Sequence, residues 1–429
     1  MDHKRESAGW FMKFALLFRS LRNRNYLLFF VGQGISLIGT WMQMTAVAWL
    51  IWRLEHNAFL LGLVGFTGRI PVFVMAPFAG VLIDRMNKHR LIIITQIFAM
   101  LQALILAGLM YSGQIRIWQI IILSLILGFV NAIDMPSRQS FLVHMIGRKE
   151  DLTNAIALNS ILVNSARLIG PSVAGFLIAG FGEQLCFLLN GLSYIAVIAC
   201  LLMMRVKPFM SKEKKSDFFE KFREGLHYAW DFKPIRSMLL LLFLVSLFGA
   251  SYAQLLPVFA GKILNGDART QGFLISAAAV GALCGGIYLA WRPSVHGLGK
   301  ILAISPAVFG VGLIGLGLSK LLWLTILIMP VIGIGMMVQM ASTNTLIQTI
   351  VDDDKRGRVM SFYSMAFMGT VPIGSLFAGT IAQFSGAPFM VIFGGCCCIA
   401  GSLAFSRQVP SLQKITTHTD IRQEMVPES

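Results

Sequence analysis

Four charged residues stand inside otherwise apolar stretches of this 429-residue chain: Asp134, Arg138, Arg69 and Arg167. Each charge at the centre of a hydrocarbon layer costs about 2.5–3.5 kcal/mol on insertion scales, so four cost on the order of 10 kcal/mol unless paired or wetted. Asp134 and Arg138 are four residues apart and meet on one helical face, with Asn131 one turn earlier. Such a pair can take up and release a proton in step with a conformational change. It can equally be an internal ion pair that only keeps Arg138 satisfied. Arg69 precedes Ile70-Pro71, where the proline ring frees a carbonyl for a donor, and Arg167 lies one turn before Gly170-Pro171. Both can bind an anion or staple broken helices together. One acid against three cations favours an anionic or carboxylate-bearing cargo. A second cluster is the run GVLIDRMNKHR at 80–90, where Asp84-Arg85 and the cations Lys88, His89 and Arg90 crowd a short connection between apolar segments. It reads as a charged latch at the mouth of a membrane protein that changes shape.

Composition dictates the elements that must position these groups. Hydrophobic residues make up 56% of the chain, charged residues 13%, and mean hydropathy is +0.72. These values lie outside the soluble globular range. A hydrocarbon core of roughly 30 Å needs about 20 apolar residues per helix. Twelve runs satisfy this, near 26–52, 58–83, 91–111, 117–146, 152–180, 184–205, 237–261, 271–291, 299–318, 321–350, 359–384 and 387–405. The expected class is an all-α membrane protein. The runs at 117–146 and 321–350 exceed the hydrocarbon thickness, so their linker-side ends are expected to project into water.

The net charge of +16 invites a nucleic-acid reading, which its distribution removes. With the N-terminus inside, 28 of the 36 Lys and Arg fall on the cytoplasmic side, 5 on the opposite side and 3 in the spans. That is the positive-inside asymmetry, and it predicts a multi-pass protein of the cell membrane, a bacterial inner membrane, with both termini cytoplasmic. Anionic lipid headgroups are the expected partner of the basic excess, not nucleic acid. The first 25 residues are basic and amphipathic without a cleavable apolar core, an interfacial cytoplasmic segment. The six cysteines sit in or at the ends of spans and read as small buried hydrophobes.

Residues 206–236 carry a dense mixture of charges and read as a cytoplasmic linker. It separates bundles of six spans at 26–205 and 237–405, with a cytoplasmic tail at 406–429. Sliding the chain by 204 residues aligns Ile169-Gly170 with Ile373-Gly374, Ala174-Gly175 with Ala378-Gly379, and Gly182 with Gly386. The fifth span therefore repeats as the eleventh in the same orientation. Parallel six-helix duplication is the plan of two-bundle transporters with a midplane site.

On these residues the chain resembles the major facilitator superfamily. Its pattern between the second and third spans, Gly-x-Leu-Ala-Asp-Arg-x-Gly-Arg-Lys, is met by Gly80, Leu82, Asp84, Arg85 and Lys88, with Asn87 in the second glycine slot and His89 in the final basic one. The exporter pattern Gly-Pro-x-x-x-Gly appears as Gly170, Pro171 and Gly175. The strings NAIDMPSRQSFLVHMIGRKEDLTNAIALNS, NSARLIGPSVAGFLIAGFG and NTLIQTIVDDDKRGRVMS look like the branch containing the enterobactin exporter and macrolide-type efflux proteins. The resemblance implies two pseudo-symmetric six-helix bundles working as a monomer, with helices one, four, seven and ten lining the cavity. Two departures stand out. The fourth-span arginine of many superfamily exporters falls near Ser124, so no proton role transfers there. The second-half latch, GGIYLAWRPSVHGLGK, keeps Gly286 and Arg292 but has Ala290 where the acid would be. The dominant gate is therefore expected in the first half.

Polar residues along the implied cavity helices agree. Gln33, Ser36, Thr40 and Gln43 recur on the first span, Tyr252 and Gln254 on the seventh, and Gln339, Asn344 and Gln348 on the tenth. Some such amides serve only to join helices. No Gly-x-x-x-x-Gly-Lys-Ser/Thr loop, no metal-ligand cluster and no nucleophile–base constellation is legible, so no cofactor, metal or enzymatic chemistry is expected. The expected protein is an alternating-access exporter of a small molecule driven by protons, with Asp134 titrating beside Arg138. A siderophore or other anionic metabolite is the expected cargo. Broad drug efflux through a Met- and Phe-rich pocket is the alternative, and lipid flipping a further one.

Overall fold

The computed structural model describes residues 19–75, 83, 86–146, 149–205, 227–292 and 294–413. Gly80, Asp84 and Arg85 of the latch, most of the basic N-terminal segment, linker residues 206–226 and the tail beyond 413 lie outside the described residues. Among the described residues, twelve helices are long and apolar enough to cross a membrane: α1 Arg24–Glu55, α2 Ala58–Met75, α3 Lys88–Tyr111, α4 Ile117–Val143, α5 Asp151–Phe181, α6 Glu183–Leu202, α7 Lys233–Ile263, α8 Ala268–Ala290, α9 Leu298–Leu318, α10 Leu322–Ile350, α11 Lys355–Ser385 and α12 Ala387–Ser406. No strand occurs among the described residues. Backbone groups in hydrocarbon must be satisfied internally, and helices do this.

By contacts the chain forms two compact units, one of residues 1–47 and 74–213 and one of 48–73 and 214–429. The end of α1 and the described start of α2 thus pack with the second half-chain. In the first unit, the Tyr26 hydroxyl donates to the Ala155 carbonyl at 2.9 Å and anchors a core of Tyr26, Phe29, Phe141, Leu142, Leu158 and Leu201. Smaller residues, Ala99 and Ala103 of α3, let Tyr194 of α6 and Val130 of α4 close in above it.

Glycines set the helix approaches in the second unit. A Cβ on Gly333 of α10 would lie 1.9 Å from the Ala278 carbonyl oxygen of α8, and one on Gly310 of α9 only 2.5 Å from Gly395 O of α12. These helices touch backbone to backbone, the close approach that small residues permit in lipid. Gly62 of α2 and Gly379 of α11 make the same contact, and Gln383 Oε1 accepts from the Ala58 amide at 3.0 Å.

The 204-residue repeat is visible in the backbone. Gly182 (φ 83°) and Gly386 (φ 86°) each form the whole connection between consecutive helices, a left-handed turn that glycine enters at little steric cost. The aligned glycines share a packing task as well. Gly170 brings α5 against Ile38 and Trp41 of α1, and Gly374 brings α11 against Leu247 and Ser251 of α7.

The units differ in helix regularity. Three five-residue π-turns occur among the described residues, Val245–Gly249, Phe259–Ile263 and Met365–Gly369, all in the second unit. Each interrupts the regular i to i−4 ladder, a feature that collects at functional bends.

Candidate functional site

Asp134 is 1% exposed on α4 of the first unit, and its carboxylate is fully engaged. Oδ1 accepts from Thr95 Oγ1 and from Gln96 Nε2, both at 2.8 Å, and Oδ2 pairs with Arg138 Nη2. The four-residue spacing read from sequence therefore closes the ion pair on one helical face. Arg138 Nη1 reaches across to Gln33 Oε1 on α1, so one guanidinium joins two helices. Pro136 lies between the partners and removes one backbone donor from α4, which leaves the helix less constrained at that turn.

Two open valences flank this cluster. Gln33 Nε2 and Gln96 Oε1 are buried without a hydrogen-bond partner. Buried polar atoms are rarely left unpaired, so a donor and an acceptor beside an ion pair mark places for water or cargo to fill. Arg138 keeps about a fifth of its side chain exposed (22%) against 2% for Asp134. A ligand would meet the cation first.

A second polar layer lies further along α1. Gln43 Nε2 donates to Gln102 Oε1 at 2.9 Å, and Asn190 Nδ2 donates to Gln43 Oε1 at 2.7 Å. Tyr194, also on α6, bonds with Thr40 and Asn190 and feels the charges of Asp134 and Arg138. Tyr194 thus belongs to the Gln43 layer by hydrogen bonding and to the ion pair only through its field. Sequence inspection singled out Gln33, Thr40 and Gln43 but missed Thr95, Gln96, Gln102, Asn190 and Tyr194. The available signal was their polarity on α3 and α6, helices that no periodic stripe marked as facing Asp134.

Arg167 of α5 lies over the Trp41 ring, 5.8 Å from its centroid, and meets no carboxylate within ion-pair distance among the described residues. A guanidinium stacked on a ring keeps its N–H edge for an anion. Pro171 and Gly175 are buried one and two turns on. Asn131 is half-buried on α4. Arg69 belongs to the second unit, at a break in α2 where its amide bonds to Phe66 O at 3.1 Å and its carbonyl accepts from the Val72 amide.

Of the latch, Lys88 is described. It is 7% exposed, and its Nζ donates to Ser140 Oγ at 2.5 Å. Asn87, in the family's glycine slot, caps α3 by accepting from the Arg90 amide. In the second half, Arg292 donates to His296 O at 2.7 Å, closing its own loop.

The second-unit residues expected to line a cavity form neutral contacts. Gln339 is fully buried, accepts from Ser305 Oγ at 3.3 Å and leaves Nε2 unpartnered. Tyr252 sits edge-on to Phe309, ring centroids 6.1 Å apart. Gln254 lies against Gly65, where a Cβ would meet it at 2.8 Å, and Asn344 accepts from Gln348 at 2.6 Å.

The family model described as "Transmembrane secretion effector" matches residues 17–427, nearly the whole chain. The chain belongs to that family, within the major facilitator superfamily. It is a multi-pass membrane transporter and not an enzyme. It is 29% identical to the staphyloferrin A transporter of Staphylococcus aureus over 83% of this chain and 89% of that one. It is 20% identical to macrolide efflux protein A of Streptococcus pyogenes, over 85% and 91%. The crystal structure of the nucleoside transporter NupG shares its fold with a TM-score of 0.71 at 13% identity, over 89% and 98%.

Proposed function

We propose that this transporter is a proton-driven exporter of an anionic small molecule, with a siderophore as the best-supported cargo class. The observation that carries the reading is Asp134, a carboxylate held by Thr95, Gln96 and Arg138 beside two unsatisfied amide atoms. Protonation of Asp134 releases its hold on Arg138 and frees that cation. Cargo binding at Arg138 does the reverse, leaving Asp134 without its counter-ion and favouring proton uptake. Proton and anion binding are thus coupled reciprocally through one pair of side chains, the linkage that ion-driven transport requires. Arg138 is neutralised in the resting pair, so the standing positive field of the first unit falls to Arg167 on Trp41. The relative named for staphyloferrin A supports the cargo class. The 28-to-5 distribution of cations supports a topology with both termini in the cytoplasm.

The relative named for macrolide efflux favours a second reading, broad drug efflux. Everted membrane vesicles separate the two. With an imposed proton gradient, the wild type accumulates a carboxylate siderophore, and Asp134→Asn does not, while still exchanging labelled for unlabelled cargo. Uphill pumping by the double variant Asp134→Asn/Arg138→Gln would reduce the pair to a structural role. Preferential accumulation of a lipophilic cation would move the reading to drug efflux.

A further inference from the structure

Helices α9 and α10 of the second unit run antiparallel, and their contacts keep a fixed register. A Cβ on Gly312 would lie 2.7 Å from Ile332 Cγ1, and one on Gly335 would lie 2.6 Å from the Phe309 amide nitrogen. Ser305 Oγ donates to Gln339 Oε1 at 3.3 Å. Each step of three or four residues back along α9 is thus matched by the same step forward along α10, as residues sharing one helical face require. The next step of three sets Leu302 level with Ser342. Both residues are fully buried, as is Gln339.

Three hydrogen-bonding groups at this level are short of partners. Pro306 lies inside α9, so no N–H reaches the Leu302 carbonyl from one turn on, and the ring pushes that carbonyl off the helix axis. The Ser305 hydroxyl approaches it at 3.5 Å, the limit of a hydrogen bond, while its single proton is also directed at Gln339 Oε1. Gln339 Nε2 and Ser342 Oγ have no hydrogen-bond partner in the protein. Ser342 decides the reading. A helical hydroxyl ordinarily turns back to the carbonyl four residues earlier, as Thr343, Ser375 and Thr380 all do at 2.8 Å. Ser342 makes no such bond. Buried polar atoms are rarely left unmet, and here two stand one turn apart on α10, beside a carbonyl that its own helix does not serve.

We infer that this seam binds one water molecule, which joins α9 to α10 and supplies the bond that Pro306 withholds. The water donates to the Leu302 carbonyl, accepts from Gln339 Nε2 and makes its third bond with Ser342 Oγ. Three bonds to otherwise unmet groups are the usual complement of a buried water. Neither α9 nor α10 carries a carboxylate, so a metal ion there would stay uncompensated, and the Gln339 N–H edge would face it with the wrong sign. A water reorients where a direct bond would break. The break at Pro306 can therefore open and close with its polar groups satisfied, which makes the seam a wet hinge. The inference rests on neither the cargo nor the coupling proposed above.

The test is radiolytic footprinting of the full chain in nanodiscs. An X-ray pulse splits water where it sits, and side chains beside a bound water are oxidised however deeply they lie, read residue by residue by mass spectrometry. Leu302 and Pro306 should be oxidised. Phe309, as buried as Leu302 and one turn past Pro306, should stay at background. The double variant Gln339→Leu/Ser342→Ala should cut oxidation of Leu302 by about tenfold, the effect on occupancy of removing two hydrogen bonds. Pro306→Ala returns an N–H to the Leu302 carbonyl and should lower oxidation there too, in a helix made more regular, which separates lost water from lost folding. Ser342→Ala should also lower the melting temperature less in the Pro306→Ala background than in the wild type, because the two positions share one bridge. Background oxidation of Leu302 in the wild type would make the seam dry. Oxidation of Phe309 as strong as that of Leu302 would mean general solvent entry, and oxidation indifferent to both variants would detach the water from these groups. Each of these results overturns the site.

Discussion

The two units bury polar groups for different ends. The first holds an ion pair, four glutamines, an asparagine and a tyrosine in its interior, with no π-turn among its described residues. The second holds neutral buried amides and hydroxyls, some of them unpartnered, and all three described π-turns. The buried ion pair lies in the unit without a described π-turn, and the π-turns lie in the unit without a described buried ion pair. The lesson is that two repeated frames can hold different interiors: one an ion pair among amides, the other π-turns among neutral polar groups.

The sharpest way to break this division is to remove the charge from the first unit. Asp134→Ala leaves Arg138 buried without its acid, a loss of about 3–5 kcal/mol for a broken buried pair. Gradient-driven accumulation in everted vesicles should disappear, and the detergent-solubilised protein should melt earlier. A variant that pumps normally would end the assignment of chemistry to this unit.

Next in size is backbone contact shared by both units. Gly170→Val and Gly374→Val each force a side chain into a neighbouring helix, at about 1–3 kcal/mol for overpacking. Similar melting losses for both would sharpen the picture of a common frame. A large loss at one position alone would show that the repeat no longer shares its packing.

A smaller contrast lies in the buried amides. Gln43 bonds two partners, and Gln43→Leu should lose about 1–3 kcal/mol by orphaning Gln102 and Asn190. Gln339 carries an unpartnered Nε2 and one long bond, so Gln339→Leu should be within about 1 kcal/mol of wild type. Equal losses, measured by thermal unfolding of matched samples, would mean that the second interior is as demanding as the first. Smallest of all, Arg292→Ala removes a loop-closing bond on the exposed second latch and should change stability by less than about 0.5 kcal/mol. A larger fall in melting temperature would give that latch more weight than its geometry offers.

The fold was legible because membrane insertion is written locally. Every span had to be an apolar run, and the runs read from sequence match the described helices within four residues, save the end of the second run at 83, which lies past the continuous described part of α2. The repeat was legible because glycine contacts are specific: Gly182 and Gly386 retain a backbone shape that side chains rarely adopt. The ion pair was legible because both partners lie on one helix at i and i+4. Its neighbours were not. Thr95, Gln96 and Tyr194 reach the site from α3 and α6, and the rotation of those helices depends on packing that a single helix's pattern does not encode.

The single-residue connections at Gly182 and Gly386 constrain how this protein is made. With Phe181 ending α5 and Glu183 starting α6, and with Ser385 and Ala387 doing the same for α11 and α12, no loop separates the members of either pair. A ribosome feeding the chain into a membrane cannot deliver such helices as independent spans. Each pair is expected to insert as a hairpin, its two arms entering together. Lengthening either tip would loosen the timing of biogenesis before it touched transport.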